Sequence, residues 1–272
     1  MSTVSSSPKT AVVLAGGQGT RLAPYTMAFP KPLVPLGEVP VLEIVLRQLS
    51  WHGVEKVIIS VGYLAGLIEA YLQTRGGIDG LEISYLREAR PLGTAGALGM
   101  MKDLEGADEP LLVVNGDLLT TFDFSSMFEF HTSRSPALTI AVKKKRVTLE
   151  LGVLEVGPNL EVTDYREKPC TEHLCSMGIY LYSPDAINAI GFDERLDFPE
   201  LVLRLLGQNK CVLAYETDCY WLDIGSRDEY ERACTEFPEM RSRLLPDEAS
   251  MAGPSQFPPQ QDGRPAMDRK FP

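Results

Sequence analysis

Three glycines and two cations near the start of the chain are spaced in a way that suits phosphate chemistry. Gly16, Gly17 and Gly19 follow an apolar stretch, Arg21 comes directly after them, and Lys31 lies between two prolines. Glycines let backbone N–H groups approach a phosphate closely because they have no Cβ. Two cations in the same segment would offset the charge of a reacting phosphate. The segment therefore predicts a phosphate-reacting site, although the glycines alone fit an ordinary turn after a strand equally well.

The common phosphate-binding motifs do not describe this segment. The run from Gly17 to Leu22 has leucine where a dinucleotide fingerprint needs its third glycine, and no Gly-Lys-Ser/Thr run is present. The sequence LAGGQGTRLAP, followed by FPKPLVPL, instead resembles the signature of the sugar-1-phosphate nucleotidylyltransferases, or NDP-sugar pyrophosphorylases. The resemblance implies that Arg21 and Lys31 are catalytic. It also implies nucleotide contacts by the loop residues Leu14, Ala15, Gly16, Gly17, Gly19 and Thr20.

Two carboxylates are candidate metal ligands. Asp117 follows an apolar strand and a glycine, which places it where ligands bind in open α/β sheets, although an Asx turn would use the same residue. Asp223 follows Trp221 and Leu222, which can anchor the loop while the carboxylate faces the cleft. Mg²⁺ prefers one or two carboxylates together with substrate phosphates. The resemblance implies that Asp117 and Asp223 bind Mg²⁺.

A second group of candidates lies in the later half of the chain. Glu167 and Lys168 precede a proline at the end of a predicted strand, and such a pair is most often a solvated turn. The resemblance implies instead that Glu167 accepts hydrogen bonds from sugar hydroxyls and that Lys168, as a catalytic residue, holds the sugar 1-phosphate. Further sugar-phosphate contacts are implied for Asn115, Gly152 and Gly178.

The segment REARPLGTAGALGM is the candidate reader of the base. Gly93 and Thr94 are predicted to bind the nucleotide, and Glu88 stands where related thymidylyl and uridylyl enzymes carry glutamine. A carboxylate only accepts hydrogen bonds, and guanine offers it two adjacent donors, whereas uracil and thymine offer one. The sequence EARPLGTAGAL within this segment also resembles that of mannose- and heptose-1-phosphate guanylyltransferases. Glu88 therefore favours guanine, with Arg87 or Arg90 as alternative readers.

The apolar pattern predicts an α/β fold. Strands are predicted at residues 11–14, 56–61, 81–86 and 111–115, alternating with helices at 41–51, 67–73 and 93–101. Such alternation predicts a parallel sheet with right-handed crossovers. The second half reads as strands joined by turns, with a hairpin turn predicted at Gly157. The basic run 143–146 reads as a solvated segment after a strand, or as one that favours an anionic partner. Together with the resemblance, the expected fold is a Rossmann-like three-layer α/β/α nucleotide-diphospho-sugar transferase fold with a mixed, mainly parallel central sheet.

The predicted organisation is a disordered start at 1–9, a single nucleotidyltransferase domain at 10–236 and a disordered tail at 237–272. Within the domain, the resemblance implies a nucleotide-binding half at 10–120 and a sugar-binding half at 121–236. A capping box at Ser226 opens the last helix, which is expected to end near Glu236.

The composition of the chain limits the kinds of partner and the cellular setting that are expected. A net charge of −11 over 272 residues argues against nucleic acid. No 18-residue apolar run is present, so no membrane span is expected. The polar start lacks the apolar core of a signal peptide, and five irregularly spaced cysteines predict a reducing, cytoplasmic setting. The length is compatible with a small homo-oligomer.

The expected reaction is a Mg²⁺-dependent condensation of an NTP with a sugar 1-phosphate to give an NDP-sugar and pyrophosphate. GTP with mannose or manno-heptose 1-phosphate is favoured, and uridylyl or thymidylyl transfer to glucose 1-phosphate is the alternative. A catalytically silent NDP-sugar-binding regulatory subunit is a second alternative, opposed by the presence of both Arg21 and Lys31. A glycosyltransferase is disfavoured because Asp117 is followed by two leucines rather than by an Asp-x-Asp pair.

Overall fold

A seven-stranded sheet with helices on both faces forms the centre of the molecule in the computed structural model, which describes residues 7–102 and 109–246. The strands are β1 (Thr10–Leu14), β2 (Pro35–Leu36), β3 (Val39–Pro40), β4 (Lys56–Val61), β5 (Glu82–Arg87), β6 (Leu111–Asn115), β7 (Leu118–Thr120), β8 (Leu138–Thr148), β9 (Val153–Val156), β10 (Val162–Arg166), β11 (Cys170–Tyr182), β12 (Val212–Glu216) and β13 (Trp221–Asp223). The helices are α1 (Tyr25–Ala28), α2 (Val41–Trp51), α3 (Ala65–Arg75), α4 (Gly93–Gly96), α5 (Phe124–Arg134), α6 (Pro184–Asn188), α7 (Phe198–Gly207) and α8 (Arg227–Leu244), with 3-10 turns at Thr20–Leu22, Lys31–Leu33 and Ala97–Met101.

The strand order in this sheet is β12-β8-β11-β6-β1-β4-β5. Strands β6, β1, β4 and β5 are mutually parallel, β11 is antiparallel to both of its neighbours, and β12 is parallel to β8. The predicted mixed, mainly parallel sheet is therefore confirmed. Leu14 pairs with Ser60 on one side and Asn115 on the other, so three strands end at the same edge.

The apolar runs of the parallel strands explain the three layers. In β1, Ala11 and Val13 pack into one hydrophobic cluster, and Val12 between them packs into a second cluster on the other face. Successive strand residues point to opposite faces of a sheet, so a continuous apolar run needs cover on both sides. Helix α2 supplies part of that cover with its buried residues Leu42, Val45, Leu46 and Leu49.

Three two-stranded ribbons lie outside the central sheet. Strands β9 and β10 form an antiparallel hairpin, as the turn at Gly157 predicted, and every residue of β10 is exposed. Strands β7 and β13 pair antiparallel, with Asp223 opposite Leu118. Because β7 starts directly after the loop that carries Asp117, this ribbon brings the two predicted metal ligands to one place.

The predicted boundaries fail in two places. Helix α8 runs to Leu244 rather than ending near Glu236, and Pro238 lies inside it. Phe237, Leu244 and Leu245 are buried there, so apolar packing extends the ordered structure past the predicted start of the tail. The predicted disorder at 1–6 and 247–272 falls outside the described residues.

The second misplaced boundary concerns the basic run 143–146, which the sequence places after a strand. It lies within β8, whose far end pairs with the early part of β11 from Cys170 to Cys175. These two strands extend well beyond the part of the sheet that is covered by helices.

No helix among the described residues combines the length and the apolar character needed to cross a bilayer.

Candidate active site

The glycine loop leaves β1 at the edge where β4 and β6 also end. The Ala15 N–H donates to the Ser60 carbonyl at 2.9 Å, and the hydroxyl of Thr26 donates to the Gly19 carbonyl at 2.8 Å. Gly19 has φ +62°, and a Cβ there would lie 2.9 Å from Cβ of Lys31. A Cβ at Gly19 would strain both the backbone and this contact, and the loop packs closely against the segment carrying Lys31.

The outer part of the same loop is open. Gly17 and Thr20 are exposed, and no atom lies within 4 Å of the position that a Cβ on Gly17 would take. Gly16 turns toward the neighbouring strand end, where its missing Cβ would lie 3.1 Å from Oε1 of Glu88. The predicted contacts of Leu14, Ala15, Gly16, Gly17, Gly19 and Thr20 with a nucleotide remain predictions.

Lys31 lies between the two predicted metal ligands. Its ammonium forms an ion pair with Oδ2 of Asp117 and lies 3.8 Å from Oδ1 of Asp223. The Lys31 side chain is 12% exposed, so this cluster is mostly withdrawn from water. Three residues from distant parts of the sequence thus meet in one mixed-charge cluster.

The two carboxylates are incompletely satisfied. Oδ1 of Asp117 and Oδ1 of Asp223 are buried, and neither has a hydrogen-bond partner. Burial raises the pKa of Asp223 above its usual value, and the nearby Asp117 raises it further, whereas Lys31 and Arg21 act in the opposite direction. Buried anionic oxygens without donors are what a hard divalent cation requires.

The donor set therefore fits Mg²⁺. No group of three or more His, Cys, Asp or Glu residues able to hold a metal occurs in the described ranges. Two carboxylates suffice for Mg²⁺, since it keeps several waters and shares substrate phosphates.

Arg21 reaches the same cluster from the other side. Its side chain is exposed, and its guanidinium lies beside Gly225, where a Cβ would be 3.4 Å from Nη2 of Arg21 and 3.5 Å from Oδ1 of Asp223. Within residues 7–102 and 109–246, Arg21 forms no ion pair within 4.0 Å, which leaves its charge available to a substrate anion.

Glu229 is a nearby residue that the sequence reading connected only with helix capping. Its Oε2 accepts from the Gly225 N–H and from the Ser226 hydroxyl, both at 3.0 Å. The carboxylate therefore fixes the turn that follows Asp223, and the Ser226 hydroxyl caps α8 by accepting from the Glu229 N–H at 3.3 Å.

Other contacts fix the strand that carries Asp223. Nε1 of Trp221 donates to the Met177 carbonyl at 2.9 Å, and the Ile224 N–H donates to the Asp117 carbonyl at 3.1 Å.

The ammonium of Lys143 donates to the carbonyl of Cys219. Lys143 was predicted to be part of a solvated basic run, and that prediction is wrong for this residue. No local pattern could reveal its partner, which lies 76 positions away.

Asn115 and Gly178, both predicted to contact the sugar phosphate, are neighbours. Gly178 has φ +75°, and a Cβ on it would lie 2.6 Å from Nδ2 of Asn115. The register of β11 against β8 shifts between Ser176 and Tyr180, so Gly178 occupies an irregularity in the strand. Asn115 ends β6, two residues before Asp117, which places this pair near the charged cluster.

Glu88 uses both carboxylate oxygens within the protein. Oε1 accepts from the Ser60 hydroxyl at 2.9 Å, and Oε2 accepts from the Leu92 N–H at 2.8 Å. The residue therefore fixes the segment after β5. Each carboxylate oxygen can accept a second hydrogen bond, so a role in binding the base remains a prediction.

Gly93 and Thr94 pack against the segment before α7. A Cβ on Gly93 would lie 2.6 Å from the Leu196 carbonyl oxygen. The Thr94 hydroxyl accepts from the Phe198 N–H at 2.8 Å, and the Thr94 N–H donates to Asp197 at 3.1 Å. These contacts account for the residue types without a ligand, and the predicted nucleotide contacts stay predictions.

Glu167, Lys168 and Gly152 form a separate group at the base of the β9–β10 hairpin. Lys168, at φ +43°, pairs with Glu150 at 2.9 Å, and Tyr165 donates to Glu167 at 2.6 Å. A Cβ on Gly152 would lie 2.2 Å from the Tyr165 hydroxyl, and the predicted sugar-phosphate contacts of this group stay predictions. In the described part of the chain, no hydrogen bond or ion pair joins this group to Lys31 or the two aspartates.

Comparison with known proteins identifies the family of the chain. Residues 10–239 match the family described as Nucleotidyl transferase, and the chain belongs to that family. The chain is 32% identical over 244 residues to "Mannose-1-phosphate guanylyltransferase catalytic subunit beta" of Drosophila melanogaster, covering 87% of this chain and 65% of the relative. It is 30% identical over 240 residues to "UTP--glucose-1-phosphate uridylyltransferase" of Synechocystis sp., covering 82% and 62%. The chain therefore spans slightly less than two thirds of the length of these relatives.

A solved structure agrees with the fold. HddC from Yersinia pseudotuberculosis superposes with a TM-score of 0.66 at 28% identity, covering 85% of this chain and all of that one. A second structure of HddC, complexed with GMP-PN, superposes equally well, with a TM-score of 0.66 at 26% identity. The predicted family and fold are thus confirmed.

Proposed function

We propose that this protein is an enzyme that condenses an NTP with a sugar 1-phosphate, releasing pyrophosphate and forming an NDP-sugar. The observation that carries the proposal is the meeting of Lys31, Asp117 and Asp223 beside a glycine loop at the edge of the sheet. Sequence-distant residues of opposite charge, partly buried and incompletely satisfied, are typical of a site that binds charged ligands. The activities named for the relatives support the same class of reaction.

The chemistry follows from the charges. A phosphate oxygen of the sugar 1-phosphate attacks the α-phosphorus of the NTP in line, and the bond from that phosphorus to the departing pyrophosphate breaks. The nucleophile is already an anion at neutral pH, so no general base is needed. The obstacle is the repulsion between two anions, and Arg21 and Lys31 offset it by contacting the phosphates.

The two ends of the reaction use different parts of the chain. In this proposal Arg21, which is exposed beside Gly225, stabilises the departing pyrophosphate, and Lys168 holds the sugar 1-phosphate. A divalent cation held by Asp117 and Asp223 would supply further positive charge against the triphosphate. For Lys168 to contribute, its exposed pair with Glu150 must open.

We propose guanine as the base and mannose or a manno-heptose as the sugar. The carboxylate of Glu88 suits the two adjacent donors of guanine, and several relatives are named mannose-1-phosphate guanylyltransferases. The alternative is uridylyl transfer to glucose 1-phosphate, which the Synechocystis relative supports. The proposed setting is the cytoplasm, consistent with five free cysteines.

The test is pyrophosphate release by the purified protein with Mg²⁺, across GTP, UTP, dTTP, CTP and ATP, against hexose and heptose 1-phosphates. Release with GTP and mannose or heptose 1-phosphate supports the full proposal. Release with UTP or dTTP alone keeps the class of reaction but overturns the assignment of Glu88. No pyrophosphate release with any substrate pair, together with tight binding of an NDP-sugar, would indicate a regulatory subunit instead.

A further inference from the structure

We propose that Lys31 and a divalent cation compete for the same two carboxylates, so that Lys31 neutralises Asp117 and Asp223 until a metal and nucleotide phosphates arrive. The inference deepens the proposed function and rests on it for the identity of the phosphates. It gives Lys31 two successive anionic partners, first the aspartate pair and then the substrate.

The geometry shows the first partner. The Lys31 ammonium binds Oδ2 of Asp117 and lies 3.8 Å from Oδ1 of Asp223, so it occupies the space between the two carboxylates. The oxygens that it leaves unsatisfied are Oδ1 of both residues, which are buried without a donor. An ammonium has three donors and covers only part of this oxygen set.

Electrostatics makes the two cations alternatives rather than neighbours. An ammonium within about 4 Å of a divalent cation would repel it strongly in this partly buried cluster, where screening by water is weak. Without any cation, the charges of two neighbouring carboxylates would repel each other. A single cation at a time avoids the repulsion between the two cations and also the repulsion between the two carboxylates.

The packing of Lys31 limits how it can leave. Its Cβ packs closely against Gly19, since a Cβ on the glycine would lie only 2.9 Å away, so this end of the side chain has no room to move toward the glycine. Only the distal part of the side chain can swing, and the glycine loop that it would swing toward is the proposed phosphate site. The ammonium therefore stays in the site and changes partner. Phosphates that attract Lys31 should raise the affinity for the metal, and the metal should raise the affinity for phosphates.

The test measures Mn²⁺ binding to the whole protein without nucleotide, by calorimetry or electron paramagnetic resonance. Lys31→Met should bind Mn²⁺ about tenfold more tightly than the wild type, the scale of one charge-assisted hydrogen bond removed from a competitor. Arg21→Met is the matched control, because Arg21 bears the same charge near Asp223 but makes no ion pair with it. Its Mn²⁺ affinity should change less than about threefold, since only the general field is altered.

A third variant ties the effect to the shared carboxylate. In Asp117→Asn the ion pair of Lys31 is lost and only its 3.8 Å contact with Asp223 remains, so adding Lys31→Met should tighten Mn²⁺ binding by less than about threefold. Equal or weaker binding by Lys31→Met than by the wild type overturns the proposal, as does the absence of Mn²⁺ binding in both proteins. A tenfold gain in a protein that releases no pyrophosphate with any substrate overturns the proposed function alone, because the binding experiment involves no turnover.

Discussion

The two charged groups of this molecule, one at the edge of the parallel strands and one at the β9–β10 hairpin, are built differently. Lys31 and Asp117 are 12% and 20% exposed, and buried strands and loops fix them from several sides. Lys168 and its partner Glu150 are 55% and 72% exposed and lie at the base of a ribbon without cover. The group at the edge of the strands, proposed to bind the nucleotide, is thus held in place by the protein alone, whereas Lys168 must leave an exposed pair before it can bind the proposed sugar phosphate. Substitutions should therefore affect the two groups in different ways.

The largest effect is expected for the two cations at the edge of the parallel strands. Lys31→Met or Arg21→Met should lower the rate of pyrophosphate release by roughly 10²–10³-fold, the scale of one lost electrostatic stabiliser. Steady-state kinetics at saturating substrate measures the change. If either variant kept turnover within about threefold of the wild type, the assigned roles would be wrong.

The next effect concerns the pH dependence of stability, and it comes from a buried histidine in the second half of the chain. His131 is 1% exposed and lies 2.8 Å from the Thr139 hydroxyl and 2.9 Å from the Ser183 hydroxyl, and burial lowers its pKa to about 4. The unfolded chain takes up this proton near pH 6.5, so the stabilisation is complete above that pH and is lost as pH falls toward 4. The loss should reach on the order of 3 kcal/mol.

Urea unfolding between pH 4 and pH 8 measures that loss. His131→Gln should show a shallower dependence on pH across the same range, because the titrating group is gone. An unchanged slope in the variant would assign the acid sensitivity to other groups.

A smaller effect is expected at the exposed group. Lys168→Met should raise KM for the sugar 1-phosphate about tenfold, since one charge-assisted contact is lost, with a smaller change in KM for the NTP. Glu150→Gln is the control, because it removes the competing partner and should leave KM for the sugar phosphate equal or lower. A parallel rise in both Michaelis constants would contradict the division into two ends.

The smallest effects come from a pair of glycines, one in each region. Gly19→Ala places a Cβ at φ +62° against Lys31 in a fixed environment and should cost about 1–2 kcal/mol of unfolding free energy. Gly152→Ala meets the Tyr165 ring, which is 57% exposed and can turn away, so its cost should be under about 0.5 kcal/mol. Thermal or urea unfolding of both variants gives the comparison, and Gly17→Ala, with open space around it, is the control for the loop.

The sequence predicted the buried region better than the exposed one, for a physical reason. Helix α2 and strands β4 and β6 have the predicted bounds, because continuous apolar runs between turn residues admit few alternatives. The meeting of Lys31 with Asp117 and Asp223 was implied only by the family resemblance, since the residues come from three separate segments.

The remaining errors have a common origin in contacts between distant segments. Lys143 looked like one residue of a solvated basic run, and its bond to the Cys219 carbonyl has no local signal. The last helix looked finished at Glu236 because a proline follows shortly, but Phe237 and Leu244 continue the apolar face that packs on the body. In each case, a tertiary contact overrode the local pattern.

The β7–β13 ribbon has a consequence for how the protein is made. It pairs Asp223 with Leu118, residues that are 105 positions apart, and it is the contact that brings Asp223 to Asp117. A chain emerging from the ribosome has its glycine loop, Lys31 and Asp117 long before Asp223 exists. The cluster can close only when nearly the whole domain has been synthesised, so a nascent or truncated chain lacking β13 carries half of the carboxylate pair and should be unable to assemble the complete site.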